Sequence, residues 1–246
     1  MNEKPNLDQS KTDVAIAVGM GTLGLLPYAG PILAEIVNQI IPNQRIDRIS
    51  RFAEILDEQL QELDKELLEQ KMRTEEFVDL FEDGAFQAAR ALTDKRKEHI
   101  AALLKNSLSS EDLNHVQEKQ LLSLLGQLND AELVILKHFG LDMAPHEAEA
   151  FFEEHEETIR GPMVVMGSPQ EDADRGAIHQ TYRAHLRHLG LMRATYKKPK
   201  KGEMPEWDLK TGMIKAGSDR ITPLGRLLLR HIDAQVVPDV EQWSNE

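Results

Sequence analysis

The feature that most constrains this chain is a run of 21 residues without a charged side chain, Val14 to Ala34. As one straight helix this run would measure about 32 Å, close to the ~30 Å hydrocarbon thickness of a bilayer. Pro27 and Pro31 argue against a single helix, because proline removes a helical hydrogen bond, and the four glycines of the run lower helix propensity. The run therefore predicts an apolar helical hairpin with arms 14–26 and 32–41.

Two environments suit this apolar leader, which we define as residues 14–34. It is apolar on nearly all sides rather than along one stripe, which favours contact with lipid and a location in the cytoplasm, peripheral to the inner membrane. The alternative is burial of the leader inside a helical bundle. The residues predicted to contact a membrane surface are Leu23, Leu25, Leu26, Tyr28, Ile32 and Leu33.

A heptad pattern begins after the leader. Its apolar positions recur at alternating spacings of three and four, which predicts an amphipathic helix over 45–71. The helix predicted over 75–107 is one partner for this stripe and would give a long antiparallel pair. A homodimeric coiled coil through residues 46–67 is the alternative. The stripe consists of Ile46, Ile49, Ala53, Leu56, Leu60, Leu63 and Leu67.

Capping residues predict further helix starts. Ser110, followed by two carboxylates, predicts one helix, because its hydroxyl and their charges suit the free N–H groups of a first turn. Asn129, with Glu132 three residues later, resembles a capping box and predicts another. An exposed acidic helix is predicted over 145–157, and a short strand is one interpretation of 163–166.

The C-terminal third predicts a small mixed α/β region. A helix is expected over 172–189 and a strand over 191–196, followed by a charged turn and strand pieces at 207–215 and 220–221. Thr222 and Pro223 then suit the start of a last helix over 224–232. The chain is thus predicted to be mainly α. The predicted domains are 1–42, the tail and hairpin; 43–128, the helical bundle; and 129–246, the mixed α/β region.

Charge is distributed unevenly along the chain. Residues 43–157 carry 13 basic and 27 acidic side chains, whereas residues 174–201 carry 8 basic and 1 acidic. The net charge of −13 argues against general coating of nucleic acid, because phosphate binding needs a positive face. The basic segment 174–201 still allows a confined anionic partner, either duplex DNA or an acidic protein.

The sequence carries no recognisable signature of an enzyme. The chain has no cysteine, which excludes thiolate catalysis, disulfides and cysteine-ligated metals. Gly19, Gly21 and Gly24 form a G-x-G-x-x-G pattern, but Pro27 interrupts the helix that a dinucleotide site requires. We interpret these glycines as packing positions. We expect no cofactor and predict that the protein is not an enzyme.

Two groups of nearby side chains, each containing histidine, are candidate metal ligands. Their spacings match neither the H-E-x-x-H motif nor a ferritin-like Glu-x-x-His arrangement, so surface histidines are the favoured interpretation and no metal is expected. The groups are His146, Glu149 and His155, and His179, His185 and His188.

The segment Tyr182-Arg-Ala-His-Leu-Arg-His-Leu-Gly-Leu-Met-Arg193, with Arg220-Ile-Thr-Pro-Leu-Gly-Arg-Leu-Leu-Leu229 after a charged turn, resembles winged-helix domains. The resemblance implies a recognition helix followed by a two-stranded wing, a pair suited to contact with duplex DNA. The implied nucleic-acid-binding residues are His179, Arg183 and Arg187 on the helix and Lys197, Lys198, Lys200 and Lys201 on the wing.

The middle of the chain resembles bacterial abortive-infection proteins of the alpha type. Similar stretches are Ala88-Ala-Arg-Ala-Leu-Thr-Asp-Lys-Arg96, Ile100-Ala-Ala-Leu-Leu-Lys-Asn-Ser-Leu108 and Leu121-Leu-Ser-Leu-Leu-Gly-Gln-Leu-Asn-Asp-Ala-Glu-Leu133. This resemblance implies a role in phage defence through growth arrest or death. We therefore expect a non-enzymatic effector whose leader associates with a membrane, and, as the alternative, a dimeric winged-helix transcriptional regulator.

Overall fold

The computed structural model describes residues 26–28, 30, 46–109, 113–141, 143–196, 199, 202, 204–208, 212, 214–232 and 234. The chain divides into an N-terminal unit, Met1–Gln127 with His231–Asp233, and a C-terminal unit, Leu128–Arg230 with Ala234–Glu246. The described residues are mainly helical and include a small two-stranded antiparallel sheet near the C-terminus, as predicted. Most of the predicted apolar hairpin lies outside the described residues.

The N-terminal unit is a helical bundle in which the first long helix packs against the third and fourth. Its largest fully buried side chains include Phe52 and Phe81, with leucines and isoleucines around them. The helices are α1 (Ile46–Leu60), α2 (Lys65–Lys71), α3 (Glu75–Arg90), α4 (Asp94–Ser109) and α5 (His115–Gln127).

The heptad stripe of α1 is buried within its own unit. Ile49, Ala53, Leu56 and Leu60 have no exposed surface, and α1 contacts α3 and α4. The described residues of this stripe therefore pack against helices of the same chain, which is the first of the two predicted arrangements. A homodimeric coiled coil through 46–67 would need these same side chains on the surface.

The two long predicted helices are each broken once, which corrects the sequence prediction. Between α1 and α2, the Asp64 carboxylate accepts a hydrogen bond of 2.9 Å from the Glu66 backbone N–H, a local bond that competes with continuous helix. Between α3 and α4, Ala91 is extended, and the Thr93 hydroxyl accepts from the Arg96 N–H at 3.3 Å. A polar side chain that begins a new helix accompanies each break.

Helix α5 begins later than predicted. Residues 110–112 lie outside the described part of the chain, and α5 starts at His115 after Asn114. The Asn114 side chain accepts from the Gln117 N–H at 3.1 Å, while the Gln117 side chain accepts from the Asn114 N–H at 3.0 Å. This reciprocal pair satisfies two free donors, as a capping box does.

The C-terminal unit contains five helices and two strands among its described residues. The predicted capping box is confirmed, because the Asn129 side chain accepts from Glu132 N–H at 2.8 Å and the Glu132 carboxylate accepts from Asn129 N–H at 2.9 Å. The predicted strand at 163–166 is wrong, since this connector is exposed and irregular. The elements are α6 (Asp130–Gly140), α7 (Pro145–Glu154), α8 (Glu156–Arg160), α9 (Gln170–His188), β1 (Met192–Tyr196), β2 (Ala216–Ile221) and α10 (Pro223–His231).

A glycine turn joins α9 to β1. Gly190 has a φ of 73°, and its N–H bonds Arg187 O while Leu191 N–H bonds Leu186 O, the pattern that ends a helix at a left-handed residue. The strand β1 then pairs antiparallel with β2, which leads directly into α10. The Thr222 hydroxyl accepts from the Gly225 N–H at 3.1 Å and so caps α10, as predicted.

Candidate functional site

A buried carboxylate organises the centre of the C-terminal unit. Asp219 of β2 accepts two hydrogen bonds from Arg187, from Nε at 2.8 Å and from a terminal nitrogen at 2.9 Å. It accepts a third from Arg183, one helical turn earlier, at 3.1 Å. The second terminal nitrogen of Arg183 donates to Ile159 O at 2.8 Å. These hydrogen bonds connect α9 to the β1–β2 hairpin and to α8.

This cluster is charged at neutral pH. Burial tends to raise the pKa of the Asp219 carboxyl, but the hydrogen bonds from Arg187 and Arg183 outweigh it and hold that pKa below its ordinary value. The same bond to Asp219 raises the pKa of Arg187. Near this cluster, burial and the Arg183 charge lower the pKa of His138. The arrangement is a bidentate ion pair that stabilises the packing of β2 on α9.

His179 also faces the interior of its unit. Its Nε2 donates to Thr158 O at 2.7 Å, and its ring lies edge-on to Tyr182 with centroids 5.8 Å apart. Gly161, which has a φ of 72°, lies so close that any side chain there would overlap the His179 ring. The histidine is therefore part of the contact between α8 and α9.

The predicted recognition residues thus have partners inside the C-terminal unit. Arg183 stacks over the Phe139 ring at 5.4 Å besides its bonds to Asp219 and Ile159. The outward face of α9 instead presents Ile178, which is 57% exposed, and Arg175, paired with Asp172 at 2.6 Å. The predicted wing residues Lys197, Lys198, Lys200 and Lys201 lie outside the described residues.

Two acidic residues of this unit were not predicted as functional. Asp219 is one, and Glu132 is the other, since its Oε1 lies 2.8 Å from Nδ1 of His185 while its second oxygen completes the cap of α6. The sequence does contain a pattern from which the role of Asp219 could have been predicted. It stands two residues before the apolar Ile221 on a strand, a spacing that places both on one face, and Arg183 and Arg187 share one face of α9.

The outward face of the hairpin is polar and basic. Arg193 of β1 and Arg220 of β2 are paired directly across the strands, and both are exposed. Next to this pair, the Thr195 hydroxyl donates to Ser218 O at 2.8 Å and accepts from Ser218 N–H at 3.1 Å, beside the irregularity between Ala194 and Tyr196.

An apolar cleft of about 360 Å³ continues this hairpin. It is lined by Tyr196, Trp207, Gly212 and Ile214, and Trp207 pairs with Ile214 through an isolated antiparallel bridge. The bond from Lys215 N–H to Glu206 O, at 2.8 Å, extends this second small hairpin. The aromatic side chains remain about half exposed.

Two of the predicted membrane-contact residues are described. Leu26 and Tyr28 are half-buried, whereas Leu23, Leu25, Ile32 and Leu33 lie outside the described residues. The Tyr28 backbone N–H donates to Oδ1 of Asp57 at 3.0 Å, and Oδ2 of Asp57 accepts from the Gln61 side chain at 3.1 Å. The buried Asp57 thus joins the turn of the leader to α1.

Within the described part of the chain, no group of three His, Asp or Glu side chains comes together as a metal site. None of the helices in those same ranges is both long and apolar enough to cross a bilayer. No family model, curated protein or solved structure matches this chain.

Proposed function

We propose that this protein is a non-enzymatic bacterial effector, cytoplasmic and peripheral to the inner membrane, whose leader associates with lipid. The observation that carries the proposal is the uncharged run of 21 residues in a chain of net charge −13. Burial of such a run in the acyl and headgroup boundary is favourable in proportion to its apolar area. The resemblance to abortive-infection proteins supports phage defence through growth arrest as the biological role.

The contact between Tyr28 and Asp57 supports a resting state in which the leader is held against α1. A hydrogen bond from a backbone N–H to a buried carboxylate is charge-assisted, and such bonds are stronger than neutral ones. We call this contact the leader latch. Loss of the latch would favour a state with the leader free to enter lipid, because only the resting state contains this bond.

The leader latch yields a test of the proposal. Asp57→Ala is expected to increase the fraction of protein that floats with vesicles about tenfold, since a bond to a charged group contributes roughly 1.5–3 kcal/mol. Gln61→Ala is the matched control, because it removes a different hydrogen bond of Asp57 without altering the leader. Flotation of purified full-length protein with phosphatidylglycerol-containing vesicles measures the effect.

Equal flotation of Asp57→Ala and wild type would contradict the latch. Absence of flotation in both, with circular dichroism showing intact helices, would contradict membrane association itself. Expression in bacteria supplies a second measurement, because Asp57→Ala is expected to slow growth more than Gln61→Ala at equal protein level.

A second candidate, a winged-helix DNA-binding regulator, has one observation in its favour. The C-terminal unit runs through α6, α7 with α8, α9, the β1–β2 hairpin and α10, which is compatible with a winged-helix module. The partners of Arg183 and Arg187 within the unit make the four wing lysines the better DNA contacts. If the protein is such a regulator, its affinity for DNA depends on the neutralisation of DNA phosphates by these basic side chains.

Replacement of Lys197, Lys198, Lys200 and Lys201 by serine tests this candidate. If the wing binds duplex DNA, the slope of log affinity against log salt should fall by about 0.9 for each lost phosphate contact. A variant with the same charge loss in the N-terminal unit, at Lys65, Lys71, Arg73 and Lys95, is the control. Mobility shifts that show no duplex binding by wild type at low salt would eliminate the candidate.

A further inference from the structure

We infer that a cavity in the N-terminal unit binds a small zwitterion, an α-amino acid with an apolar side chain. We call it the interhelical cavity. It has a volume of about 350 Å³ and lies where the end of α2, the start of α3, the end of α4 and the start of α5 meet. It presents one ammonium group and a half-buried carboxylate together with apolar side chains. The lining includes Lys71, Thr74, Phe77, Leu108, His115 and Glu118.

Local hydrogen bonds hold the Lys71 side of the interhelical cavity in place. The Thr74 hydroxyl donates to Lys71 O at 2.8 Å and accepts from the Phe77 N–H at 3.3 Å as the N-cap of α3. The Thr74 N–H also donates to Lys71 O, at 3.1 Å. Because these bonds fix the turn between α2 and α3, this wall of the cavity is formed before any ligand arrives.

The Glu118 carboxylate lacks a bonded cation, because the basic side chains near it on α5 are used by other carboxylates. Nε2 of His115 lies 2.8 Å from Oδ2 of Asp79. Nζ of Lys119 lies 2.7 Å from the same oxygen and 3.0 Å from Asp83. Among the described residues, Glu118 has neither a hydrogen-bond donor nor an ion-pair partner in contact with it. Burial raises the pKa of Glu118, although nearby positive charges oppose this change.

Lys71 supplies the opposite charge in the same cavity. Its side chain is half-buried, and it forms no ion pair with a carboxylate of the described ranges. Lys71 and Glu118 attract each other electrostatically, but their charged groups are not in contact. A zwitterion placed between them would direct its carboxylate to Lys71 and its ammonium group to Glu118. Both contacts would be charge-assisted hydrogen bonds, the stronger kind.

A ligand with a single charge fits this cavity less well. An anion would leave Glu118 without a donor and bring a second negative charge close to it, and a cation would lie close to Lys71. Glu76 also lines the cavity, but it is exposed, so solvent screens its charge. Phe77 and Leu108 supply apolar contact for a side chain. The volume is at the lower end of small-molecule sites, roughly 300–1,000 Å³, which suits a single amino acid.

Calorimetric titration of the full-length protein with L-leucine, L-methionine and L-phenylalanine tests the inference. We expect at least one of them to bind with a Kd below about 10 mM. Glu118→Gln and Lys71→Met should each weaken that binding about tenfold, because each removes a charge-assisted hydrogen bond to a partly exposed group. Glu66→Gln and Lys65→Met are the matched controls on the exposed side of α2, and each should change the Kd less than twofold.

Analogues of the amino acid that binds assign each charge. Its amide keeps the ammonium group but lacks the carboxylate, and the corresponding acid without the amino group keeps only the carboxylate. Lys71→Met should therefore weaken binding of the amino acid but leave binding of the amide unchanged. Glu118→Gln should leave binding of the acid unchanged. A purely structural role for either residue would instead weaken all of these ligands together.

Three results would overturn the inference. The first is absence of binding of all three amino acids to wild type at about 10 mM, with circular dichroism showing intact helices. The second is binding that neither Glu118→Gln nor Lys71→Met weakens, and the third is equal weakening of the amino acid and its amide by Lys71→Met. None of these results bears on the proposed function, because Leu25 and Ile32 of the leader do not line this cavity.

Discussion

Replacement of Leu25 and Ile32 by aspartate is expected to abolish association of the leader with vesicles. Each carboxylate near the centre of an inserted segment costs about 2.5–3.5 kcal/mol on insertion scales. Two such costs lower the partition of the leader into lipid on the order of a thousandfold or more, if both positions enter the hydrocarbon. Flotation and dye release with wild type and the double variant measure this change.

A matched control for the double variant lies elsewhere in the N-terminal unit. Leu92 and Val116 are 80% and 75% exposed, so Leu92→Asp/Val116→Asp adds the same two charges to the surface without altering the leader. This control should float as wild type does. Equal flotation of all three proteins would show that the leader does not contact lipid, and the effector proposal would then be abandoned.

The second large effect is expected at Asp219. Asp219→Asn should lower the free energy of unfolding of the C-terminal unit by about 2 kcal/mol. Loss of one partner from a buried ion pair costs about 3–5 kcal/mol. Here the side chains of Arg183 and Arg187 are 29% and 43% exposed, so water can replace part of the lost bonding and the expected cost is smaller.

The effect at Asp219 depends on pH in a defined direction. Because the pKa of Asp219 is lower in the folded chain than in the unfolded chain, its stabilisation is present above the unfolded value and disappears as the pH falls through the folded value. The unfolded value is about 3.9. The stability difference between wild type and Asp219→Asn should therefore be constant near neutrality and shrink below about pH 4.

Hydrogen exchange resolved by peptide can assign this loss to the C-terminal unit, which matters in a chain that divides into two compact units. Faster exchange is expected in β1, β2 and α9. Asp172→Asn is the control, because Asp172 pairs with Arg175 on the exposed side of the same helix. Equal protection of β2 in wild type and Asp219→Asn would contradict the role assigned to the carboxylate.

Elements that depend on local hydrogen bonds were predictable from the sequence. The Asn129 cap of α6 and the Thr222 cap of α10 formed as predicted, since each bond links residues three apart. The strand at 191–196 and the helix before it were also recovered to within about two residues. The sequence prediction missed the helix breaks at Asp64 and Thr93. Both side chains accept a hydrogen bond from the backbone of the next helix. The apolar pattern continues across each break, and it was given more weight than these capping residues.

The partners of the charged residues were not predictable in the same way. The basic segment 174–201 indicates an anionic partner, and the structure places one within the chain, at Asp219. Arg183 and Asp219 are 36 residues apart, and their contact depends on the register of β2 against β1. Composition reports the charge of a segment but not which of its charges are already neutralised.

The sequence by itself determined that this chain is mainly helical, that its cysteine-free composition excludes thiolate chemistry, and where several helices begin. These properties follow from residue types and from bonds between near neighbours. Only the tertiary structure decided that the stripe of α1 is buried inside its own unit and that the Arg183 and Arg187 side chains bind a carboxylate. It also decided that Trp207 and Tyr196 share one open cleft. These contacts join residues that are distant in the chain, and they form only when packed helices and paired strands bring them together.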